Sequence, residues 1–223
     1  MFLGMVAIFL VGTFVGLGGY MFTSSDVSEA VAVVGKTKIP YMRFQVRVNQ
    51  YLDTLRARKV DVTEATIKEV KQGMLRDMIV DELLAQQAER AGMRVTDLEV
   101  AMSIRNAAAF QREGQFDQNI YFQALRYAYR TSPEDYEAQQ RKALLAAKLK
   151  QTIYFGAKVL PEELREEFSR ANAGSDKDFA KKKDEFSAQL QQQRAIELIN
   201  FYLRQLSTQV QIQQFLDERE KGA

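Results

Sequence analysis

The sequence contains no cysteine and no histidine, and it has only 3 prolines among its 223 residues. A chain without cysteine or histidine has no thiolate nucleophile, no imidazole base that titrates near neutral pH, no disulfide and no Cys/His zinc site. These absences exclude most of the familiar catalytic groups. We therefore expect no catalytic residue, no cofactor and no metal site in this chain.

Carboxylates are the remaining candidates for acid–base chemistry. They lie in stretches with a helical period and alternate with Lys and Arg, as in EELREEF at Glu162–Phe168. This pattern is typical of a solvated helix face with ion pairs three and four residues apart. An enzyme that uses an Asp or Glu pair stays an alternative, but no such pair lies in a nonpolar, loop-rich segment that would shift its pKa.

The chain also lacks an excess of either charge. Its 31 Lys and Arg and 29 Asp and Glu give a net charge of +2, and no basic stripe suggests a nucleic-acid surface. Long runs of Ala, Leu, Glu, Lys, Gln and Arg favour helix, because these side chains lose little conformational freedom there. The composition predicts a mostly α fold that does not bind nucleic acid.

An apolar run opens the sequence. No charged side chain precedes Asp26, and the run is long enough to cross a bilayer as a helix. We predict a transmembrane anchor over residues 1–23. A buried core helix and a cleavable signal peptide with a small-residue site at Ala30–Ala32 are the alternatives. No Lys or Arg precedes the run, so the usual cytoplasmic flank is missing and a start further upstream stays open.

The flank after the apolar run sets the expected topology. Asp26 and Glu29 come first, and the first basic side chain is Lys36. Because nothing basic holds this flank in the cytoplasm, we predict a single-pass protein whose folded part lies on the other side of the membrane.

Short strands are predicted at both ends of the folded part, with helices between them. Val31, Val33 and Val34 precede Gly35, and Ile39 follows before Pro40, which predicts a small hairpin. The stretch VQIQQF near the C-terminus alternates like a strand and is expected to pair with this hairpin. The helical period covers residues 43–59, 64–91, 96–104, a segment with Tyr121 and Leu125, 133–153, a segment from Pro161, and 178–208.

Three capping signals mark where helices begin. Thr66 and Glu69 have the spacing of a capping box, and so do Thr96 and Glu99. Ser132 stands before a proline and two acids, which is typical of an N-cap followed by the positive end of the helix dipole.

A glycine interrupts the helical pattern in FQREGQFDQNIYFQALR. Gly114 can adopt a left-handed conformation at no steric cost, so we predict that the chain reverses there. Phe110 and Phe116 are then expected to pack on the same core from either side of the turn.

The order of these pieces resembles the N-terminal chaperone domain of the SurA and PpiD group of bacterial periplasmic folding factors, and its PpiD-type members in particular because of the anchor. The resemblance covers about Val31 to Ile153. It rests on the valine strand before Gly35, on IVDELLAQQAERAGMRVTDLEV, on FQREGQFDQNIYFQAL and on SPEDYEAQQRKALLAAKL. The residues that carry the motif, expected to be structural, are Gly35, Phe110, Gly114, Phe116, Asp117, Tyr121 and Leu125.

Two local departures accompany the resemblance. VVG replaces the usual VNG at Val33 to Gly35, and Ala109 stands where a proline often precedes the phenylalanine. A larger departure is that the group typically inserts a parvulin prolyl isomerase domain, whereas only residues 158–177 fill that interval here. We predict an anchor at 1–23, a chaperone domain at 24–157, a connector at 158–177 and a closing helix and strand at 178–223, without isomerase activity.

The resemblance implies a holdase in the bacterial inner membrane whose folded domain lies in the periplasm. Such a protein binds unfolded or partly folded secreted and outer-membrane proteins without ATP, and the Sec translocon is a further expected partner. A membrane-tethered scaffold that docks one dedicated envelope or translocon partner is the alternative. A coiled-coil spacer is disfavoured because turns interrupt the apolar spacing.

Methionines are the candidate client contacts, because their flexible thioether side chains adapt to varied apolar shapes. Ordinary core packing is the alternative, and the helical spacing of these side chains favours it for each one. The candidates are Met42, Met74, Met78, Met93 and Met102.

Overall fold

The computed structural model describes residues 29–172 and 178–221. The predicted anchor at 1–23 lies outside the described residues, as does 173–177 in the predicted connector. Within the two described ranges, no helix combines the length and the apolar content that a bilayer crossing requires.

Helices make up most of the described chain, which confirms the mostly α prediction. The first elements are β1 (Ala30–Val34), β2 (Thr37–Pro40), α1 (Tyr41–Ala57), α2 (Glu64–Arg90) and α3 (Asp97–Arg105). A 3-10 turn (Ala108–Phe110), β3 (Gln111–Arg112), β4 (Gln115–Phe116), α4 (Gln118–Gln123) and a π-helical segment (Ala124–Tyr129) follow. The remaining elements are α5 (Pro133–Gly156), α6 (Pro161–Ala171), α7 (Phe179–Gln209), β5 (Ile212–Gln214) and α8 (Leu216–Lys221).

The chain divides into two compact units. Of the described residues, the first unit contains those up to Ala146 and those from Ser207 onward, and the second contains those from Ala147 to Leu206. The N-terminal hairpin and the C-terminal strand therefore belong to the same unit, although most of the sequence separates them. The domain boundaries predicted from the sequence stay a prediction.

A three-stranded antiparallel sheet of order β2-β1-β5 joins the two ends of the described chain. Beyond the ladder itself, the Gly35 amide donates to the Gln211 carbonyl at 2.8 Å, and the Phe215 amide donates to the Val31 carbonyl at 2.8 Å. All five residues of β1 are buried, because α1, α2 and α8 pack against this central strand. The predicted hairpin and the predicted pairing of the terminal strand are both confirmed.

Gly35 makes the tight turn between β1 and β2. Val34 pairs with Thr37, so the turn has two residues, and Gly35 has a φ of +61° while Lys36 does not have a positive φ. A positive φ at the first of two turn residues is the pattern of a type II′ hairpin, which favours glycine at that position.

A polar network ties α2 to α5 and to the hairpin. Glu82, on α2, is 6% exposed, and Lys142 of α5 contacts its two carboxylate oxygens at 2.9 and 3.1 Å. The side-chain amide of Gln86 donates to Glu82 at 2.9 Å and lies 3.1 Å from the Val34 carbonyl. A buried carboxylate needs such partners, because burial without them costs several kcal/mol, on the order of 3–5 when one partner is lost.

The helix caps follow the sequence at two of three positions. The Thr96 and Glu99 capping box is present, with its two reciprocal backbone bonds at 3.2 and 2.8 Å. Ser132 accepts from the Asp135 amide at 3.1 Å. The prediction for Thr66 is wrong: Thr63 caps α2 and accepts from the Thr66 amide at 3.2 Å. Thr66 lies inside the first turn because the helix begins two residues earlier, at Glu64.

The second unit has a small aromatic core of its own. Leu164 and Phe168, on α6, are buried. The ring of Phe168 meets the rings of Phe179 and Phe186 of α7 edge-on, at centroid distances of 5.3 and 5.2 Å. Edge-to-face pairs of this kind stabilise a helix contact beyond their apolar area. The predicted helix at Pro161 is confirmed.

Replacing Gly35 with alanine should lower the free energy of unfolding by about 1–2 kcal/mol, because a Cβ is strained at this φ. A steric clash is not the cause, since the added Cβ would lie 3.5 Å from a methyl group of Val210. Gly73→Ala is the matched control: it lies inside α2 with no atom within 4 Å of the added Cβ, and it should raise stability by about 0.5–1 kcal/mol. Urea unfolding of both variants measures their free energies of unfolding. A change of the same sign in both variants would contradict the prediction.

Candidate functional site

The motif that interrupts the helices forms an aromatic cluster, composed of Phe110, Phe116, Tyr121, Tyr129 and Tyr136. Phe110 lies at its centre and is fully buried. Its ring centroid is 5.1 Å from that of Tyr121, 5.6 Å from that of Tyr136 and 5.9 Å from that of Tyr129. Phe116, on the other side of the turn, contacts Tyr121 at 5.8 Å. The two phenylalanines therefore meet on one tyrosine, as expected.

The turn itself is a miniature hairpin that the sequence analysis missed. Gln111 pairs with Phe116 and Arg112 with Gln115, which leaves Glu113 and Gly114 as the turn. Both have positive φ, +53° and +80°, the pattern of a type I′ hairpin. The sequence signal for this hairpin is an acidic residue followed by glycine, between two aromatic residues. The two strands have only two residues each, which is too short for the alternation of apolar and polar residues to be recognised.

Asp117 caps the helix that follows this hairpin. Its carboxylate accepts from the amides of Asn119 and Ile120 at 2.9 and 3.1 Å, and it pairs with Arg112 at 3.2 Å. Leu125, eight residues later, is buried. Asp117 thus connects the hairpin to α4, and Leu125 contributes to the core.

A π-helical segment continues α4 through Tyr129 and ends where Arg130 has a φ of +51°. Such segments are rare and often lie at functional sites, but no sequence pattern announced this one. The hydroxyl of Tyr121 is buried and has no hydrogen-bond partner among the described residues. Burial, followed by Glu137 and Glu134, raises the Tyr121 pKa, and burial chiefly raises that of Tyr136 to about 12.

These raised pKa values limit the chemistry of the cluster. A tyrosine acts as a base or nucleophile only after it loses its proton, and burial opposes the charged form. Both hydroxyls therefore stay protonated at neutral pH. In the described part of the chain, no three carboxylates lie close enough to hold a metal ion.

The five candidate methionines occupy different environments. Met78 is 1% exposed and belongs to the core, so it offers no surface to a client and is removed from the candidate set. Met74 and Met93 are half-buried. Met42 and Met102 are exposed, at 45% and 53%. The structure does not gather the five into one site, because they lie on α1, α2 and α3 and on the loop before α3.

Met102 has an exposed apolar neighbour that the sequence analysis did not select. Leu98 lies four residues earlier on α3 and is 69% exposed. Residues four apart on a helix lie on the same face, so the two side chains form one patch, here called the α3 patch. Arg141 fixes the start of this helix, with bonds to Asp97 at 2.8 Å and to the Val95 carbonyl at 2.9 Å.

The second unit carries an open groove of about 600 Å³, here called the α7 groove. One wall is a face of α7 with Leu198 and Phe201, which are 46% and 54% exposed. The helical period predicted over residues 178–208 could not tell which of its apolar side chains lie in the core and which lie on the surface. The lining residues are Gly156, Ala157, Lys158, Arg194, Glu197, Leu198, Phe201 and Arg204.

Arg194 connects the α7 groove to α6. Its guanidinium donates to the two carboxylate oxygens of Glu163 at 2.9 and 3.3 Å, the forked geometry that suits this pair. Glu163 also accepts from the Leu160 amide at 3.3 Å. The Arg194 bond and then the Leu160 bond lower the pKa of Glu163, so this carboxylate keeps its charge at neutral pH.

Comparison with known proteins gives three matches. Residues 1–150 match the SurA-like N-terminal domain. The chain is 34% identical over 83 residues to Chaperone SurA of Chromobacterium violaceum, an alignment that covers 37% of this chain and 19% of that protein. It is 27% identical over 170 residues to Periplasmic chaperone PpiD of Haemophilus influenzae, which covers 73% of this chain and 26% of that protein.

These relatives are much longer than the aligned region, which spans about a fifth of the first and about a quarter of the second. The resemblance identified from the sequence motifs is confirmed by all three matches. Since the matched domain covers about two thirds of the chain, the protein belongs to the SurA-like N-terminal domain family.

Proposed function

We propose that this protein is a membrane-anchored periplasmic chaperone of the holdase type, which binds unfolded or partly folded secreted and outer-membrane proteins without ATP. One observation supports the proposal: a chain of the SurA-like N-terminal domain family has exposed apolar side chains on α3 and α7. Both relatives have chaperone in their names, and one is named periplasmic.

The α3 patch and the α7 groove supply the physical means of binding. Leu98 and Met102 offer flexible apolar area on one unit, and Leu198 and Phe201 offer it on the other. An unfolded chain exposes apolar segments in many sequences, and burying them against such surfaces is favourable by about 25 cal/mol per Å². Several modest surfaces suit a holdase, because the client must also be released.

Suppression of aggregation tests the proposal. We expect the protein to reduce light scattering of two unrelated unfolded proteins, one of them an outer-membrane barrel, at near-stoichiometric ratios. The double substitution Leu198→Ser and Phe201→Ser should weaken client binding by about 2 kcal/mol, or about thirtyfold, because two half-exposed apolar side chains are lost.

Gln192→Ser is the matched control for this experiment. It replaces an exposed polar residue on the same helix, so its protection should equal that of the unmodified protein. No protection of either client by folded, unmodified protein would refute the holdase proposal. If the double variant protected clients as well as the unmodified protein does, the α7 groove would not be a client-binding surface.

A scaffold for one dedicated envelope or translocon partner is the second candidate function. The exposed apolar side chains of α3 and α7 serve either role, since a fixed partner would cover them permanently. Breadth of binding separates the two, because a holdase protects unrelated clients whereas a scaffold ignores them and co-purifies with one protein.

We also propose that the chain has no prolyl isomerase activity. Among the described residues, α6 is the only helix or strand between α5 and α7, and the sequence has no histidine, a residue that the parvulin site uses. A proline-containing test peptide should therefore isomerise at its uncatalysed rate in the presence of purified protein. A faster rate that persists in preparations from a host without its own isomerases would contradict this.

Cysteine labelling tests the proposed location, because the natural chain has no cysteine. Gln192→Cys introduces a single exposed thiol, which a membrane-impermeant maleimide should label in intact spheroplasts. The protein should also stay with the membrane after alkaline carbonate extraction. Labelling only after lysis would contradict the periplasmic orientation, and release by carbonate would contradict the anchor.

A further inference from the structure

The two edges of the three-stranded sheet differ in their chemistry. One edge strand, β2, carries Lys38 and ends at Pro40, and the ladder between β1 and β2 is irregular near Ala32. Lysine, proline and irregular pairing are the features that discourage a further strand from pairing with a sheet edge. The other edge, from Gln211 to Phe215, has no charged residue and no proline.

The hydrogen-bond register shows which backbone groups of β5 are engaged. Gly35 bonds to Gln211 and Phe215 bonds to Val31, and Val33 pairs with Gln213 between them. In an antiparallel ladder, hydrogen-bonded pairs recur at every second residue. The N–H and C=O groups of Ile212 and Gln214 therefore point away from β1, toward the free edge.

This edge is accessible in the described structure. Gln211 and Gln214 are exposed, and Ile212 is half-buried. Among the described residues, no strand pairs with the outer side of β5. The N–H and C=O groups of Ile212 and Gln214 thus have no strand partner among the described residues, and an extended polypeptide could pair with them as an added strand.

We propose that the β5 edge binds an extended, uncharged segment of an unfolded client, which adds a fourth strand to the sheet. This inference rests on the proposed chaperone function and specifies how one part of a client is held. Backbone hydrogen bonds recognise no particular sequence, which suits unrelated clients. The absence of charge along the edge and the apolar side chain of Ile212 favour β-branched residues in the bound segment.

A second copy of the chain fits this edge less well. Helix α7 ends at Gln209 and α8 begins at Leu216, so the extended segment that contains β5 is short and has a helix at each end. Two folded copies would have to approach closely to share a few hydrogen bonds of about 1 kcal/mol each. A flexible client segment has no such restriction.

Gln214→Pro tests the proposal, because proline removes an N–H that points away from β1 and leaves the ladder to β1 intact. The control is Gln214→Thr, which keeps the N–H at the same exposed position. The probe is a fluorescent peptide of alternating valine and threonine. We expect the proline variant to bind it about tenfold more weakly than the unmodified protein, while the threonine variant binds it equally well.

Methylation of alternate backbone nitrogens in the same peptide should abolish binding without changing its side chains. Amide hydrogen exchange should slow at Ile212 and Gln214 when the unmethylated peptide binds. The proposal would be overturned if the methylated peptide bound as tightly as the unmethylated one, or if the folded proline variant bound the peptide as tightly as the unmodified protein. It would also be overturned if the protein dimerised and these two amides were protected from exchange in the dimer without any peptide. This experiment measures peptide binding at the β5 edge, whereas light scattering measures suppression of aggregation. A negative result for the β5 edge therefore does not refute the holdase proposal, which the scattering assay tests separately.

Discussion

Pairing between the first and last strands of the described chain is the constraint on which the rest of the first unit depends. β1 is buried along its whole length, and its backbone groups need partners on both sides because water cannot reach them. The hairpin supplies one side, and in the described part of the chain the returning C-terminal strand supplies the other. Glu82, Lys142 and Gln86 then fix α2 and α5 against this sheet with polar contacts of 2.9–3.1 Å. The fold of the unit is thus closed by residues from both ends of the sequence.

This closure leaves part of the first unit's apolar surface open. Leu98 and Met102 of α3 are exposed, whereas β1 and Phe110 are buried. The parvulin insertion that the family resemblance leads one to expect is not needed for the closure, since β5 pairs with β1 although the described residues have only α6 between α5 and α7.

The sequence predicted features that depend on one residue or on short spacing. Gly35 and Gly114 require φ values that glycine adopts freely, and Thr96 with Glu99 has a specific cap geometry. Prediction from the sequence was wrong or incomplete where more than one nearby residue could fill the same structural role. Thr63 and Thr66 are both good caps, so spacing alone could not choose between them. The period of α2 did not separate buried Met78 from half-buried Met74, and the residues of the π-helical segment follow the same helical period as α4, so no local pattern marked it.

A disulfide between the two ends of the chain tests the central claim most directly. Ala32 and Gln214 face each other in the β1–β5 ladder as a non-hydrogen-bonded pair, for which the Cα atoms lie about 4.5 Å apart. The account predicts that Ala32→Cys with Gln214→Cys forms a disulfide readily and raises the free energy of unfolding by about 5 kcal/mol, since the closed loop is long. Ala32→Cys with Gln213→Cys, shifted by one residue to the opposite face, should not form it. Equal oxidation of both pairs, or of neither, would contradict the register that closes the fold.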